Sequence, residues 1–292
     1  MKLTKQRIIG VLTGLLAISL ILVDNMVDDW GRLSKGPGNL IKFIEESLWP
    51  PDWSVMEPQA YPVCTVYPLF DFTCSTAWIG LVETIKIAFV STVFGIIISL
   101  PISLLAARNL NPGWVSFPAR LLLSVSRSLP SIIWAIFFVI LVGFGPLSGI
   151  LAMTVYTVGY LGKLQYEAIE GLSRTPLDAS RAMGLSKIET ALGVVIPESA
   201  NELISQAIFM FEYNFRHGTV IGIVGAGGIG YYINLYLKFL QYDKVIAYLI
   251  IILVVVVIID FLSIYARSYF NEEGDLKRPS WIDVFVPDAL RR

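Results

Sequence analysis

The chain has 292 residues, of which 55% are hydrophobic and 15% are charged, and its formal net charge is −1. Soluble domains carry about 25% charged residues, so this chain lacks the charge needed to cover a water-facing surface. Together with a mean hydropathy of +0.68, this composition argues against a soluble domain and against a basic nucleic-acid-binding protein. It predicts an all-α, polytopic membrane protein.

Long apolar stretches predict about six membrane crossings, because a helix needs about 20 residues to cross the hydrocarbon. The stretches are residues 8–26, 78–106, 119–144, 148–165, 191–215 and 245–267. If the N-terminus is inside, most Lys and Arg residues fall on the cytoplasmic side, where positive charge accumulates. We therefore expect both termini in the cytoplasm, with a charged cytoplasmic tail over residues 269–292.

The sequence of residues 1–27 predicts a short cytoplasmic segment followed by a transmembrane helix. Lys2, Lys5 and Arg7 before the apolar run also fit a signal peptide. However, the small-x-small site Ala17-Ile18-Ser19 lies inside the run rather than after it. This position favours a retained helix.

Residues 28–76 predict an extracytoplasmic loop that leans acidic. Apolar residues at helical spacing over 39–49 predict an interfacial helix, with Trp49 and Trp53 at headgroup level. Cys64 and Cys74 are the only cysteines, and an oxidising compartment permits a disulfide between them. Two free thiols are the alternative. Two cysteines and one distant histidine fall short of a structural zinc site.

Within the core of residues 77–268, a polar loop at residues 173–197 separates the fourth crossing from the fifth. Pro176 suits a first helical turn, Ser173 or Thr175 can cap it, and Gly184 can end it in the left-handed conformation. Ser186 and Glu189 then have the spacing of a capping box that opens a second helix. The pattern predicts a two-helix projection for a partner to bind; a plain connecting loop is the alternative.

This loop resembles the cytoplasmic coupling loop of the permease subunits of ATP-binding-cassette importers. The resemblance depends on the spacing from Asp178-Ala179-Ser180 through Gly184 to Pro197. In that family Glu is commoner at the first of these positions and Ala at the third. The residues that the resemblance implies for contact with an ATPase are Asp178, Ala179, Ser180, Arg181, Gly184, Leu185 and Pro197.

The fifth crossing is unusually polar for a membrane helix. Glu198, Glu202, Ser205, Phe209 and Glu212 recur at three- and four-residue steps, which places most of them on one face. Because ionisable groups facing lipid are costly, this face is expected to line the translocation path or a dimer seam, or else to pair with other helices. Glu212 and Arg216 have the favourable order for an ion pair.

A glycine-rich turn at residues 218–230 follows. Gly225, Gly227 and Gly230 match a dinucleotide-binding fingerprint, but the next element is a membrane span, so no strand–helix–strand unit can form. The glycines favour a gate where helices approach closely. Alternatively, backbone N–H groups beside Arg216 and His217 attract an anion.

Two further runs narrow the resemblance to the phosphonate-type importer permeases: Glu212-x-Asn214-x-Arg216 with its glycine turn, and Arg127-Ser128-Leu129-Pro130. The resemblance covers most of residues 78–268. It implies a type I importer permease fold and a phosphonate, phosphite or hypophosphite substrate; methionine or glycine betaine is the alternative. The pathway or gate residues that it implies are Arg127, Ser128, Pro130, Glu212, Asn214, Arg216, His217, Gly225, Gly227, Gly228 and Gly230.

The resemblance also implies the assembly: two copies of this chain, two cytoplasmic ATPases and an extracytoplasmic binding protein in a prokaryotic inner membrane. The chain itself is then a transport subunit without cofactor, metal or enzymatic activity, and ATP and Mg bind the ATPases. An ion-coupled secondary transporter that uses the intramembrane glutamates is the less favoured alternative.

Overall fold

The computed structural model describes residues 5–27, 30–58 and 71–270. Within these residues the regular elements are helices, and the only strand-like pairing is an isolated bridge between Pro58 and Ser75. The predicted all-α class is confirmed. The chain divides into two compact units, residues 1–50 and residues 51–292.

The first unit contains helix α1 (Lys5–Met26), helix α2 (Gly31–Phe43) and a π-helical turn (Ile44–Leu48). The part of α1 from Ile9 to Met26 is long and apolar enough to cross a membrane. The prediction of a helix over 39–49 was wrong about its start, because α2 begins at Gly31 and contains Pro37. Pro37 is the seventh residue of α2, so it lies beyond the first turn and removes one backbone hydrogen bond from the helix interior.

The second unit is the helical core. Its helices are α3 (Thr76–Ala106), α4 (Gly113–Ser128), α5 (Ser131–Val142), α6 (Pro146–Gly171), α7 (Arg174–Ala182), α8 (Lys187–Thr190), α9 (Ile196–Ile221), α10 (Ile229–Lys238) and α11 (Tyr242–Phe270). A π-helical turn (Ala191–Val195) joins α8 to α9, and short 3₁₀ turns lie at Trp53–Met56, Asp71–Cys74 and Gly222–Val224.

Four described helices are long and apolar enough to cross a membrane, and two bent helix pairs bring the number to six if each pair is one crossing. The predicted continuous crossing at 119–144 was wrong: α4 and α5 meet at 86° around Leu129 and Pro130. Pro130 has no N–H, and it excludes the helical conformation at Leu129. The fifth crossing is longer than 191–215, and it bends by 41° at the glycine turn.

Helix α6 lies at the centre of the core and packs against α3, α4, α5 and α9. Its small residues allow close contact with α4. A Cβ added at Gly159 would lie 2.6 Å from the backbone nitrogen of Arg127 and 2.8 Å from the carbonyl oxygen of Leu123. Gly159 therefore sets how closely α4, and the Arg127 backbone with it, approaches α6.

One end of the core is closed by the segment before α3. Val55 is completely buried with residues of α3 and α11, and the Thr76 hydroxyl lies 2.6 Å from the Tyr248 hydroxyl. A hydrogen bond from the Ser54 backbone N–H lowers the pKa of Asp52. Cys74 is buried and disulfide-bonded. Cys64 lies outside the described residues, so the Cys64–Cys74 pairing stays a prediction.

Candidate functional site: a coupling surface and an intramembrane cavity

The loop after α6 forms the two short helices that the sequence predicts. Gly184 ends α7 with a φ of +74°, and the capping box at α8 is complete. There the Ser186 N–H donates to Glu189 Oε2 at 2.7 Å, and the Glu189 N–H donates to Ser186 Oγ at 3.3 Å. The expected cap at the start of α7 was wrong: Ser173 stands at the N-cap position but makes no side-chain cap bond, and Thr175 lies within the helix. Pro176 occupies the third helical position and has no N–H, which removes one of the two N–H groups from which an N-cap side chain can accept.

The predicted coupling residues divide into an inner and an outer group. Ser180 is buried and donates to the Leu177 carbonyl at 2.8 Å, so it holds α7 in place rather than facing outward. The outer group is exposed: Asp178, Ala179, Arg181, Gly184, Leu185 and Pro197. These residues remain available to a partner.

An apolar groove of about 650 Å³ lies between the two short helices and the end of α3. Leu104 and Leu105 line one side of it, and Leu177, Leu185 and Ile188 line the other. On the surface nearby, Met183 is 68% exposed and Ile188 is 72% exposed. Exposed apolar side chains grouped beside a polar loop mark an interaction surface.

Glu170, at the end of α6, joins this surface to the core. Its carboxylate accepts the Arg108 backbone N–H at 2.6 Å and forms an ion pair with Arg120. Arg120 also donates to the Ala106 carbonyl at 2.8 Å. Arg181 of α7 donates to the Asn109 carbonyl at 3.0 Å. We call Arg108, Asn109, Arg120 and Glu170 the Glu170 clamp; through it α7, α3, α4 and α6 are connected.

Within the span of α9, the run Glu212-x-Asn214-x-Arg216 points in three directions, because successive helical residues are rotated by about 100°. Glu212 and Arg216 face α11. Asn214 faces α3 and α6. The intervening Tyr213, with His217 four residues later, faces a cavity. The predicted pathway residues therefore belong to separate environments.

The α11-facing group is a neutral network of two acids and two bases. Arg216 pairs with Glu212, as predicted, and its Nη2 also lies 2.7 Å from Asp260 Oδ1. Arg267 Nη2 lies 3.4 Å from the other Glu212 oxygen. Sequence reasoning missed Asp260 and Arg267, which are distant in the chain. Pairing thus compensates the charge of Glu212.

The side chain of Asn214, which faces α3 and α6, forms hydrogen bonds with Thr92 and Thr157. Asn214 is completely buried, and its Nδ2 donates to the Thr92 hydroxyl at 2.8 Å and to the Thr157 hydroxyl at 2.9 Å. These bonds join α3, α6 and α9. Within the described residues Asn214 connects helices and does not line the cavity.

The cavity occupies about 240 Å³ beside the break between α4 and α5. Its lining residues are Arg127, Ser128, Pro130, Ser131, Tyr156, Tyr213 and His217. Four of these were predicted from the sequence as pathway residues. Sequence reasoning missed Ser131, Tyr156 and Tyr213. The one signal in the sequence is that Tyr213 lies four residues before His217, which puts both side chains on the same face of α9. The hydroxyls of Tyr156 and Tyr213 are 2.8 Å apart.

The glycine turn is packed into the core. Gly225, Gly227 and Gly228 have φ values of +88°, +80° and +76°, and all are buried, as is Gly230. The Ile229 N–H donates to the Thr84 hydroxyl at 2.9 Å, and the Gly225 N–H donates to the Gly222 carbonyl at 2.9 Å. These bonds use N–H groups that an anion would need, so the geometry favours the close-approach interpretation of the turn.

The class of protein follows from this fold together with comparison to known families. Residues 99–266 match the family of binding-protein-dependent transport system inner membrane components. The chain belongs to this family of membrane transport subunits.

Among its relatives, the chain is 40% identical over 203 residues to the phosphite transport system permease protein PtxC of Stutzerimonas stutzeri, covering 69% of this chain and 74% of the relative. It is 40% identical over 185 residues to the putative phosphite transport system permease protein HtxC of the same organism, covering 63% of this chain and 66% of the relative.

Among solved structures, the inward-facing MetNI methionine ABC transporter matches at 25% identity with a TM-score of 0.59, over 66% of this chain and 95% of the matched chain. The predicted type I ABC importer permease fold is therefore confirmed.

Proposed function

We propose that this chain is the permease subunit of an ATP-driven importer that moves a phosphorus oxyanion, namely phosphite, hypophosphite or a phosphonate. The observation that carries the proposal is the 40% identity over 203 residues to a phosphite permease. The chemistry of the cavity supports it, because the described residues that line it include an arginine and no carboxylate.

The complete importer contains two copies of this chain, two cytoplasmic ATPases that bind ATP and Mg, and an extracytoplasmic binding protein. Both termini are cytoplasmic, which places the loop at 173–197 where an ATPase can reach it. The exposed residues of α7 and α8 and the apolar groove are the surface that the ATPase contacts. The chain needs no cofactor of its own.

Force from the ATPase enters at α7 and passes to the membrane helices through the Glu170 clamp. Arg181 connects α7 to Asn109, and Glu170 connects the same loop to α4 and α6. Closure of the ATPases therefore moves the ends of three helices together. This movement opens the pathway to the outside, and nucleotide hydrolysis returns it to the inward-facing state; the buried glycine turn is the gate.

Two alternatives have less support. A methionine importer is another substrate class, but the methionine transporter matches at 25% identity, against 40% for the phosphite permease. An ion-coupled secondary transporter needs an intramembrane carboxylate that is free to exchange ions. Glu212 is instead paired with Arg216 and Arg267.

The test is uptake by proteoliposomes that contain the permease, its ATPase and its binding protein. We expect accumulation of radiolabelled phosphite that requires both ATP and the binding protein, while radiolabelled methionine and glycine betaine are excluded. Accumulation of solute by vesicles that contain only the permease would overturn the proposal. ATP-dependent uptake of methionine instead of phosphite would be consistent with an ATP-driven importer but would overturn the proposed substrate.

A further inference from the structure

We propose that the cavity between the α4–α5 break, α6 and α9 is a binding site for the transported anion within the membrane. Its ligand class is a small tetrahedral phosphorus oxyanion, an assignment that rests on the proposed function. The site would hold the anion in transit, after it has left the binding protein.

The first argument is an uncompensated positive charge. The buried Nε of Arg127 has no hydrogen-bond partner, and over the described residues its guanidinium forms no ion pair. The arginines at positions 120, 181, 216 and 267 each pair with a carboxylate. An unpaired cation inside a membrane is costly, and such residues usually face a wet cavity and mark a substrate path.

The second argument is the helix that begins at this cavity. α5 starts at Ser131 after the break, and no side chain caps its first turn. The first N–H groups of a helix have no acceptor within it, and they carry the positive end of the helix dipole. Interrupted membrane helices whose N-terminal ends point at anionic groups are a recurring feature of transporters.

The third argument is the remaining lining. Ser131 and the hydrogen-bonded pair of Tyr156 and Tyr213 bring hydroxyl groups to the space, whereas the Ser128 hydroxyl donates to the Val125 carbonyl at 2.8 Å. Among the described residues, no aspartate or glutamate lines the cavity. Hydroxyls donate hydrogen bonds to oxyanions, and a guanidinium matches them with two parallel bonds. The volume of about 240 Å³ lies below the roughly 300–1,000 Å³ of pockets for drug-sized ligands. The cavity therefore suits a small oxyanion with some water.

The position of the cavity on α9 makes the site sensitive to movement. Tyr213 and His217 form part of its wall, with ring centroids 3.9 Å apart. Arg127 forms another part of the wall, and its backbone is held close to α6 at Gly159. Rotation of α9 relative to α4 would separate the hydroxyl donor on Tyr213 from the guanidinium. A transit site must bind weakly enough to release its ligand. Separation of Tyr213 from Arg127 would weaken binding and so release the anion.

The test measures phosphite binding to the purified permease–ATPase complex in phosphatidylcholine nanodiscs without the binding protein, by ³¹P NMR line broadening. Arg127→Gln should weaken binding by about tenfold or more, since one charged hydrogen-bonding group is lost. Arg127→Lys should weaken it less, because the charge remains while the paired geometry is lost. The matched control is Lys238→Gln, which removes an exposed charge in the last turn of α10 and should bind like wild type.

The same variants are then compared in proteoliposomes with the binding protein and ATP. Phosphite uptake by Arg127→Gln should show a raised KM, with binding-protein-stimulated ATP hydrolysis retained. If wild-type vesicles take up neither phosphite nor hypophosphite nor a phosphonate, the proposed function fails. If they do, and Arg127→Gln matches wild type in both binding and KM, the transit site alone is overturned. If Arg127→Gln does not assemble, Ser131→Ala and Arg127→Lys decide by the same two measurements.

A lipid phosphate has the same chemistry as a free oxyanion, and nanodisc composition separates the two sources. If phosphite binding is equal in phosphatidylcholine and in phosphatidylglycerol nanodiscs, the cavity takes the free anion. If phosphatidylglycerol abolishes phosphite binding, the cavity holds a lipid headgroup and the assignment to a transported solute is overturned.

Discussion

Removing Arg216 alone should destabilise the core far more than removing Arg216 and Asp260 together. Arg216→Met leaves Asp260 without the ion pair at 2.7 Å and leaves Glu212 with only Arg267 at 3.4 Å. The network then has a net negative charge within the membrane. The double change Arg216→Met with Asp260→Leu leaves a balanced Glu212–Arg267 pair.

The magnitude follows from the cost of an unpaired charge. An aspartate at the centre of a membrane helix costs about 2.5–3.5 kcal/mol on the insertion scale. Because Arg267 still compensates part of the remaining charge, the expected cost of Arg216→Met lies at the lower end of this range, about 2.5 kcal/mol. The double change should cost less than about 1 kcal/mol, because replacing a whole pair by apolar residues is often nearly neutral.

The measurement is a double-mutant cycle on the free energy of unfolding of the purified permease in detergent. The control cycle replaces Lys163 and Glu167, whose side chains are 38% and 50% exposed and whose charged atoms are 3.4 Å apart; its coupling should stay below about 0.5 kcal/mol. If the double variant loses as much free energy of unfolding as the Arg216 and Asp260 single variants do when their losses are added, the network does not act by balancing charge.

Three further predictions concern the ends of the core. Gly184→Ala places a side chain on a residue with a φ of +74°, at a cost of roughly 1–2 kcal/mol, and should lower the uptake per ATP hydrolysed. The control is Gly193→Ala, at an open site without positive φ, which should leave this ratio unchanged. If both variants behave alike, the positive φ of Gly184 is not what matters for uptake. Glu170→Gln removes the ion pair with Arg120 and about 1.5 kcal/mol of stability, and it should reduce uptake while ATP hydrolysis continues. The matched control is Glu167→Gln, whose side chain is 50% exposed. Full uptake by Glu170→Gln would contradict the role of the Glu170 clamp. Because Cys74 is buried, the thiols are labelled with maleimide after denaturation without reductant: the wild-type chain should show no labelled thiol, and Cys64→Ser and Cys74→Ser should show one each. Labelling of both cysteines in the denatured, unreduced wild-type chain would exclude the bridge.

Features that depend on neighbouring residues could be predicted from the sequence. The turn at Gly184, the capping box of Ser186 and Glu189 and the Glu212–Arg216 pair each depend on residues at most four positions apart, and the structure confirms all three. Local chemistry was misread where a proline intervened. Pro176 removes one of the two N–H groups from which Ser173 could accept a cap bond, and Pro130 breaks a crossing that appeared continuous.

Contacts between distant segments could not be predicted in this way. Arg120 and Glu170 are 50 positions apart, and Arg216 and Asp260 are 44 apart; their pairing depends on how α4, α6, α9 and α11 pack. Tyr156 faces the cavity for the same reason. The sequence does identify Arg127 as a charge within an apolar stretch, but only the packing shows that no described residue compensates it.

The length of α3 has a consequence for where force is applied. With 31 residues at 1.5 Å each, this helix is about 46 Å long, whereas the hydrocarbon layer is about 30 Å thick. Unless the helix tilts steeply, roughly 16 Å of it, counted over both ends, extends beyond the lipid tails. Pro101 lies in the last two turns of α3, so movement at this end reaches the rest of the helix across a position that lacks one backbone hydrogen bond.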